Sequence, residues 1–366
     1  MAKELLHNLK KTDNMFQLRG KVSGVKSQNF YKSGTGKSGG AWNKIQFGVQ
    51  VAEGKTVYVT LNGYTRPEVF FYAKGENGAK GTTKRVAWKD RHHSQGEGFN
   101  LIGIRLSVGK DDNGNNLNRT FTEYDAVEQL HRTLKDGEDL FIKGTIDFSS
   151  YTDKNGQTKR SINLVPNQIS FTQQPIDFSA EGFKEMAEFE NTIVFSSIDQ
   201  EEDESGKATG RFILSGYSIG YNTVENVSFI MDADHKKLAT AIKKKMKIGN
   251  SIKTYGRIDV INNIAEVEVE AEDDGWNVAG EASPLEKQNR ANGPTVREYV
   301  VYRVATETFD TETYSEKEIA AALKKIKAAK EATTNFGDKP VTKANIDIEV
   351  DDDWGTDDFD DDTPWD

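Results

Sequence analysis

The chain has 366 residues, 36% hydrophobic and 29% charged, with a net charge of −10, 32 glycines, 7 prolines and no cysteine. That length fits two domains, the glycine excess suits the tight turns of an all-β protein, and the lack of cysteine excludes disulfides and thiolate metal sites and favours a cytoplasmic setting. The charge is divided: residues 1–175 carry 26 Lys+Arg and 17 Asp+Glu (+9), residues 176–346 carry 22 and 30 (−8), and residues 347–366 carry 11 acidic residues and no basic one (−11), summing to −10.

A basic first half fits an anionic ligand and an acidic end fits a detachable segment; ordinary solvated charge is the competing reading. Met1 to Phe16 lack the apolar run of a signal peptide, and no run reaches the length of a bilayer span, so no membrane is expected.

In chain order, Phe16, Leu18, Gly20, Val22 and Gly24 alternate as a strand over 16–25. A Gly/Ser/Lys loop, Ser33 to Gly40, precedes strands at Trp42 to Val51 and Lys55 to Leu61, joined at Glu53-Gly54. Residues 65–122 read as an insertion with one clear strand at Leu101 to Val108. Thr122 with Asp125 caps a helix that has Tyr124, Val127, Leu130 and Leu134 on one face. Leu140 to Phe148 and Arg160 to Phe171 form a hairpin around Asp153-Lys154-Asn155-Gly156.

Further strands are expected at Thr192 to Ile198, Gly210 to Ser218 and Glu225 to Met231. A helix follows from about Asp234, with Leu238, Ile242 and Met246 inward, and then strands at Ser251 to Ile261 and Ala265 to Glu270. Residues 273–295 read as a linker. Glu298 to Thr306 read as a strand returning to the second domain, and Ser315 with Glu318 as the capping box of a last helix. From Asp347 the chain is acidic with isolated aromatics, a composition of disorder.

The two halves repeat. Leu134-Lys135-Asp136-Gly137 lies over Met246-Lys247-Ile248-Gly249, and Leu140, Gly144, Ile146 and Asp147 fall opposite Ile252, Gly256, Ile258 and Asp259, always 112 residues apart (256 − 144). Helix, glycine stop and strand with an internal glycine, set after three strands, is the plan of an OB barrel.

The expected fold is therefore mainly β: two OB-type five-stranded Greek-key barrels, an extra C-terminal strand and helix, and a disordered acidic tail. The expected divisions are 14–175 for the first barrel with insertion 65–122, 188–272 for the second, 273–295 for the linker, 296–336 for the strand and helix, and 347–366 for the tail.

Several motifs do not hold. Gly36-Lys37-Ser38 lacks the earlier glycine of a phosphate loop, since Tyr31 stands there, and no good helix follows. The adjacent His92 and His93 point apart on an extended segment and make no metal site. Asp111-Asp112-Asn113-Gly114 lacks the ligand spacing of a calcium loop and reads as a turn. No nucleophile–base arrangement or catalytic carboxylate pair is evident, so no enzyme, cofactor or metal is expected.

Single strands of nucleic acid are bound by a basic groove and exposed aromatic rings. The first barrel offers Arg19, Lys21, Lys26, Phe30, Tyr31, Lys32 and Lys37 from its first strand and loop, and Trp42, Lys44 and Tyr58 from the next strands. Its last hairpin offers Phe148, Tyr151, Lys154, Lys159 and Arg160, and the insertion adds Trp88 between Arg85, Lys89 and Arg91. Phe47 and Phe141 read as core. Stacking and core roles both stand open for Trp42, Tyr58 and Tyr151. The lysines of the second helix, Lys236, Lys237, Lys243, Lys244, Lys245 and Lys247, read as a solvated face.

With Leu134 to Gly144, the hairpin Tyr151 to Arg160, Pro166-Asn167-Gln168-Ile169 and the ending Asp358 to Asp366 on view, the sequence resembles the single-stranded-DNA-binding proteins of bacteria and their phages, and two barrels with a long insertion fit a phage version. The resemblance implies protection of single-stranded DNA in replication, recombination or repair. It also implies that the acidic tip recruits a polymerase, helicase, primase or nuclease through Trp354, Phe359, Asp360, Asp361, Asp362, Pro364 and Trp365. The family ends on Phe, whereas here Trp365 stands in its place and Asp366 follows. A protein-interaction hub with a nucleic-acid-mimicking tail and an RNA-binding protein are the alternatives. The state of assembly, monomer or dimer, is open.

Overall fold

The protein is described by a computed structural model covering residues 5–37, 39–75, 80–110, 114, 116–152, 158–203, 205–262 and 295–335. It is mainly β, with a large mixed sheet and a separate small one. Five strands of the first half are β1 (Asn14–Ser23), β3 (Ala41–Ala52), β4 (Lys55–Tyr64), β10 (Asp139–Thr152) and β11 (Thr158–Phe171). They pair antiparallel in the order β4-β3-β1-β10-β11.

Alternation drives this arrangement: Ile45, Phe47, Val49 and Val51 on β3 and Val57, Val59 and Leu61 on β4 turn inward and are buried, as the two-residue period of a strand requires. Gly54 closes the β3–β4 turn at φ 71°, which a Cβ would disfavour. Helix α1 (Glu123–Thr133) starts where expected: the Thr122 hydroxyl accepts the Asp125 N–H and donates to its carboxylate, and Ala126, Val127 and Leu130 face the core.

The second half repeats the arrangement and closes it. β12 (Met186–Glu202), β13 (Ala208–Ile219), β14 (Val224–Met231), β15 (Ser251–Asn262) and β16 (Thr295–Asp310) form the ring β12-β13-β14-β16-β15-β12. A parallel contact at Ile230 and Val300 completes it. Helix α2 (Lys236–Lys245) lies between the third and fourth strands, as α1 does in the first half.

The strand expected as an addition after a linker is thus the fifth strand of this ring. The expected strand at 265–270 lies outside the described residues, as do residues 273–294 of the expected linker and the whole tail, 347–366. The long intervening chain does not prevent β16 from pairing with β15, because the entropy cost of closing a loop grows only slowly with its length.

Two other expectations change. Ser33 to Gly40 is not all loop, because β2 (Tyr31–Thr35) pairs with β3. Leu101 to Val108 is not one strand. β7 (Asn100–Leu101) joins β5 (Glu68–Ala73) and β6 (Thr82–Ala87) in the small sheet, while β8 (Ile104–Ser107) pairs with β9 (Arg119–Phe121) and runs parallel to β11. Gly103 makes the break: a Cβ there would lie 2.1 Å from the Phe121 carbonyl oxygen.

The halves are fused edge to edge. β1 pairs antiparallel with β12, setting Phe16 opposite Phe189 and Asn14 opposite Asn191, whose side-chain amides hydrogen-bond each other. The 112-residue repeat explains the packing. Gly144 pairs with Phe16 and Gly256 with Phe189, and a Cβ on either glycine would fall within 2.6 Å of that ring and within 2.4 Å of a backbone carbonyl oxygen. Each glycine leaves room for a buried phenylalanine of its own first strand. One continuous hydrophobic cluster holds core residues of both halves.

The last helix, α3 (Glu316–Asn335), begins at Ser315, whose hydroxyl accepts the Glu318 N–H and donates to its carboxylate. Its Ile319, Ala322 and Ile326 pack with Leu6, Leu9 and Tyr217 over one end of the second ring.

Candidate functional site

Pairing across β2, β3 and β4 fixes which side chains share the outer face of the first half. Lys32, Lys44 and Asn62 form one row, and Gly34, Trp42 and Tyr64 the next. Gln46 opposite Thr60 and Gly48 opposite Tyr58 continue it. Inward neighbours Ile45, Phe47, Val59 and Leu61 are buried, whereas Tyr58 is 51% and Tyr64 41% exposed. The Trp42 indole lies over Gly34, about 3 Å from where a Cβ would stand. Six residues of strand separate Tyr58 from Tyr64, about 20 Å at the usual rise.

Two lysines face each other directly with no carboxylate in these rows. Lys32 donates to the Asn29 side-chain oxygen at 2.8 Å, a neutral partner, and like charges on facing strands destabilise a pair. Exposed rings flanking such cations offer both stacking and phosphate neutralisation.

The same position on the second half, β13 against β14, presents Ile213, Ser215, Tyr217, Asn226, Ser228 and Ile230; its charges lie at the margin, where Asp199 is opposite Ile213 and Arg211 is paired with Glu201, Asp232 and Glu298. Tyr217 there is partly covered by the cluster containing α3. The α2 lysines are exposed to solvent, as expected of a helix face.

The expected binding residues divide into groups. Lys32, Trp42, Lys44 and Tyr58 lie together on the outer face; Lys26 and Lys37 are exposed around β2. Lys159 and Arg160 are exposed on the β10–β11 hairpin, where Tyr151 is the backbone partner of Lys159; Lys154 lies outside the described residues.

The others are engaged elsewhere. Phe30 is 5% exposed and belongs to the core, because it precedes the strand on its inward side. Tyr31 stacks on His131 at 3.9 Å and donates its hydroxyl to Glu128 at 2.6 Å. Burial first, then that hydrogen bond, raises its pKa above the ordinary tyrosine value. The same bond is the main reason Glu128 sits below the ordinary carboxylate value. Arg19 donates to the Lys184 carbonyl and Lys21 pairs with Asp139 at 2.7 Å. Phe148 meets Phe229 of the second ring edge-on at 6.3 Å. Phe47 and Phe141 are buried, as their core reading required.

Trp88 is a docking residue of the insertion, not part of the outer face. It packs edge-on against Tyr124 of α1 and lies under the Arg91 guanidinium, 4.2 Å from the ring centroid. Arg91 in turn grips Asp125 through two hydrogen bonds of 2.8 and 3.0 Å. Burial pushes the Asp125 carboxyl upward, but the bonds from Arg91 and Thr122 outweigh it and hold the pKa below the ordinary value.

Asp125→Asn is therefore expected to loosen the insertion and cost about 1–3 kcal/mol near pH 7. A depressed folded pKa gives stability above the unfolded value of about 4, lost as pH falls through the folded value. The gap between wild type and variant in urea unfolding should thus close in acid; a gap that does not change with pH would refute the assignment.

β4 runs three residues past its expected end at Leu61, which adds Asn62 and Tyr64 to this face. The alternation Tyr58, Thr60, Asn62, Tyr64 carried the signal. Among the described residues no group of three or more His, Asp or Glu is placed to hold a metal ion, and no helix is long and apolar enough to cross a membrane.

A family model described as YorF matches residues 12–339. No curated protein matches the chain by sequence. Among solved structures it is similar to the wild-type single-stranded DNA binding protein from Thermus aquaticus, at 9% identity over 81% of this chain and 93% of that one, with a TM-score of 0.37. It is also similar to the Plasmodium falciparum SSB complex with ssDNA (9% identity, 45% and 98% covered, TM-score 0.19). A third is the small single-stranded DNA-binding protein from Streptomyces coelicolor (11% identity, 45% and 96% covered, TM-score 0.18).

Proposed function

The chain belongs to the YorF family, and for it we propose non-catalytic binding of single-stranded DNA across the outer face of β2, β3 and β4. The observation that carries this is the facing pair Lys32 and Lys44 beside Trp42, Tyr64 and Tyr58 on one exposed face without a carboxylate. Cations neutralise phosphates, and rings stack on bases of any sequence. In this reading the two rings are OB-type barrels, a description supported by five strands each with a helix between the third and fourth. The first binds, and the second, whose matching face holds its arginine in ion pairs and is partly covered, serves as scaffold.

The wider role is protection of transient single strands in replication, recombination or repair. The acidic terminus would recruit a polymerase, helicase, primase or nuclease through Trp354, Phe359 and Trp365, whose rings would fill apolar pockets while the aspartates meet basic rims.

The test is titration of the whole chain with fluorescent single-stranded DNA, duplex DNA and RNA over a range of salt. Single-stranded DNA should bind tightest, and the two facing lysines alone should contribute about −1.4 to the slope of log affinity against log salt. Equal affinity for duplex, preference for RNA, or no binding would each overturn the reading. Trp365→Ala should leave that titration unchanged while abolishing capture of the partner enzyme; unchanged capture would refute the tail's role.

A further inference from the structure

In the first ring β4 and β11 lie side by side without the backbone pairing that closes the second. β14 and β16 meet at Ile230 and Val300, but among the described residues no pairing joins β4 to β11. The two strands are bridged by a side chain from the other half. Arg297, on β16, donates from one terminal nitrogen to the Tyr58 carbonyl at 3.4 Å and from the other to the Ile162 carbonyl at 3.0 Å. Tyr58 lies on β4, beside β11, and its ring is half exposed; Ile162 lies on β11, two residues beyond exposed Arg160. The guanidinium thus stands at one end of the outer face, between the aromatic strand and the basic hairpin.

Resting on the single-strand reading above, we propose that Arg297 is a phosphate contact for the bound strand, supplied to the first barrel's site by the second. Its chemistry fits. A guanidinium has five N–H donors in a rigid fork and keeps its charge at any working pH, so two bonds to carbonyls leave donors for a phosphate oxygen. Carbonyls orient the fork without neutralising it, as a carboxylate would. A phosphate here would follow a base stacked on Tyr58 and lead the strand toward Lys159 and Arg160. This gives the fusion of the halves a functional consequence: 239 residues separate Arg297 from Tyr58 (297 − 58), and the β1–β12 seam with the shared hydrophobic cluster brings them together.

The experiment compares salt-dependent single-stranded DNA titrations of wild type, Arg297→Gln, Arg297→Lys and, as a distant charge control, Lys243→Ala on α2. Loss of one phosphate contact should flatten the log–log slope by about 0.7 in Arg297→Gln, with the slope retained in Arg297→Lys and Lys243→Ala. A merely structural role would lower affinity or melting temperature without changing the slope, and that result would overturn the proposal. Should the glutamine variant not fold, phenylglyoxal labelling of the wild-type protein with and without a dT oligonucleotide decides: protection of Arg297 supports the contact, and equal labelling refutes it. Failure of the wild type to bind any single strand would sink the functional reading itself, whereas wild-type binding with an unchanged slope in Arg297→Gln would sink only this inference.

Discussion

Replacing Trp42 and Tyr64 together by alanine should weaken single-stranded DNA binding by about 2–6 kcal/mol, since each stacked ring contributes roughly 1–3 kcal/mol. The two are direct partners across β3 and β4 and share a row with Gly34, over which the indole lies. Neither belongs to the fully buried core, so the fold should survive; a melting curve beside the titration checks this. At fixed salt the affinity should fall by about 30-fold or more, using 1.4 kcal/mol per tenfold. The salt slope should stay, because no cation is removed. Normal affinity in a folded double variant would show that the strand does not run over this face. A changed slope with normal stacking would place the cations, not the rings, at the centre of recognition.

The second large effect concerns the core. Phe189 is fully buried, stacks on Phe229 at 5.4 Å, meets Tyr299 edge-on at 5.6 Å and pairs through its backbone with Phe16 of the first half. Phe189→Ala should cost about 3–5 kcal/mol, the usual range for emptying a buried phenylalanine site. Because one hydrophobic cluster spans both rings, the loss should be felt in both. Hydrogen exchange read separately on β3–β4 and β13–β14 should show equal loss of protection and one unfolding transition. Loss confined to β13–β14 would mean that the rings fold independently and that the β1–β12 seam is only a contact.

Particular residues show how much could be read in advance. The Thr122 cap, the buried face of α1, the β10–β11 hairpin and the core roles of Phe47 and Phe141 depend on neighbours within a few positions, so alternation and capping chemistry revealed them. The repeated glycines Gly144 and Gly256 were visible as a 112-residue repeat, but their reason was not. Each makes room for a phenylalanine far away in sequence, Phe16 and Phe189.

The candidate site divides the same way. Lys32, Trp42, Lys44 and Tyr58 could be named because aromatic and basic types cluster in one stretch. Phe30, Phe148 and Trp88 have the same composition, yet one is core, one faces the second ring and one docks the insertion. Tyr64 was missed at a strand end, and Arg297 had no local signal.

The sequence by itself determined the strand alternation, the two helices set after three strands, the basic first half and the acidic end, because these follow from short-range periodicity and charge. Only the tertiary structure decided that β16 closes the second ring, that β1 pairs with β12, which outward side chains share a face, and that Arg297 reaches Tyr58. Those are choices of register and partner. A one-residue slip would reverse every facing, and a single strand's pattern does not say which other strand completes its hydrogen bonds.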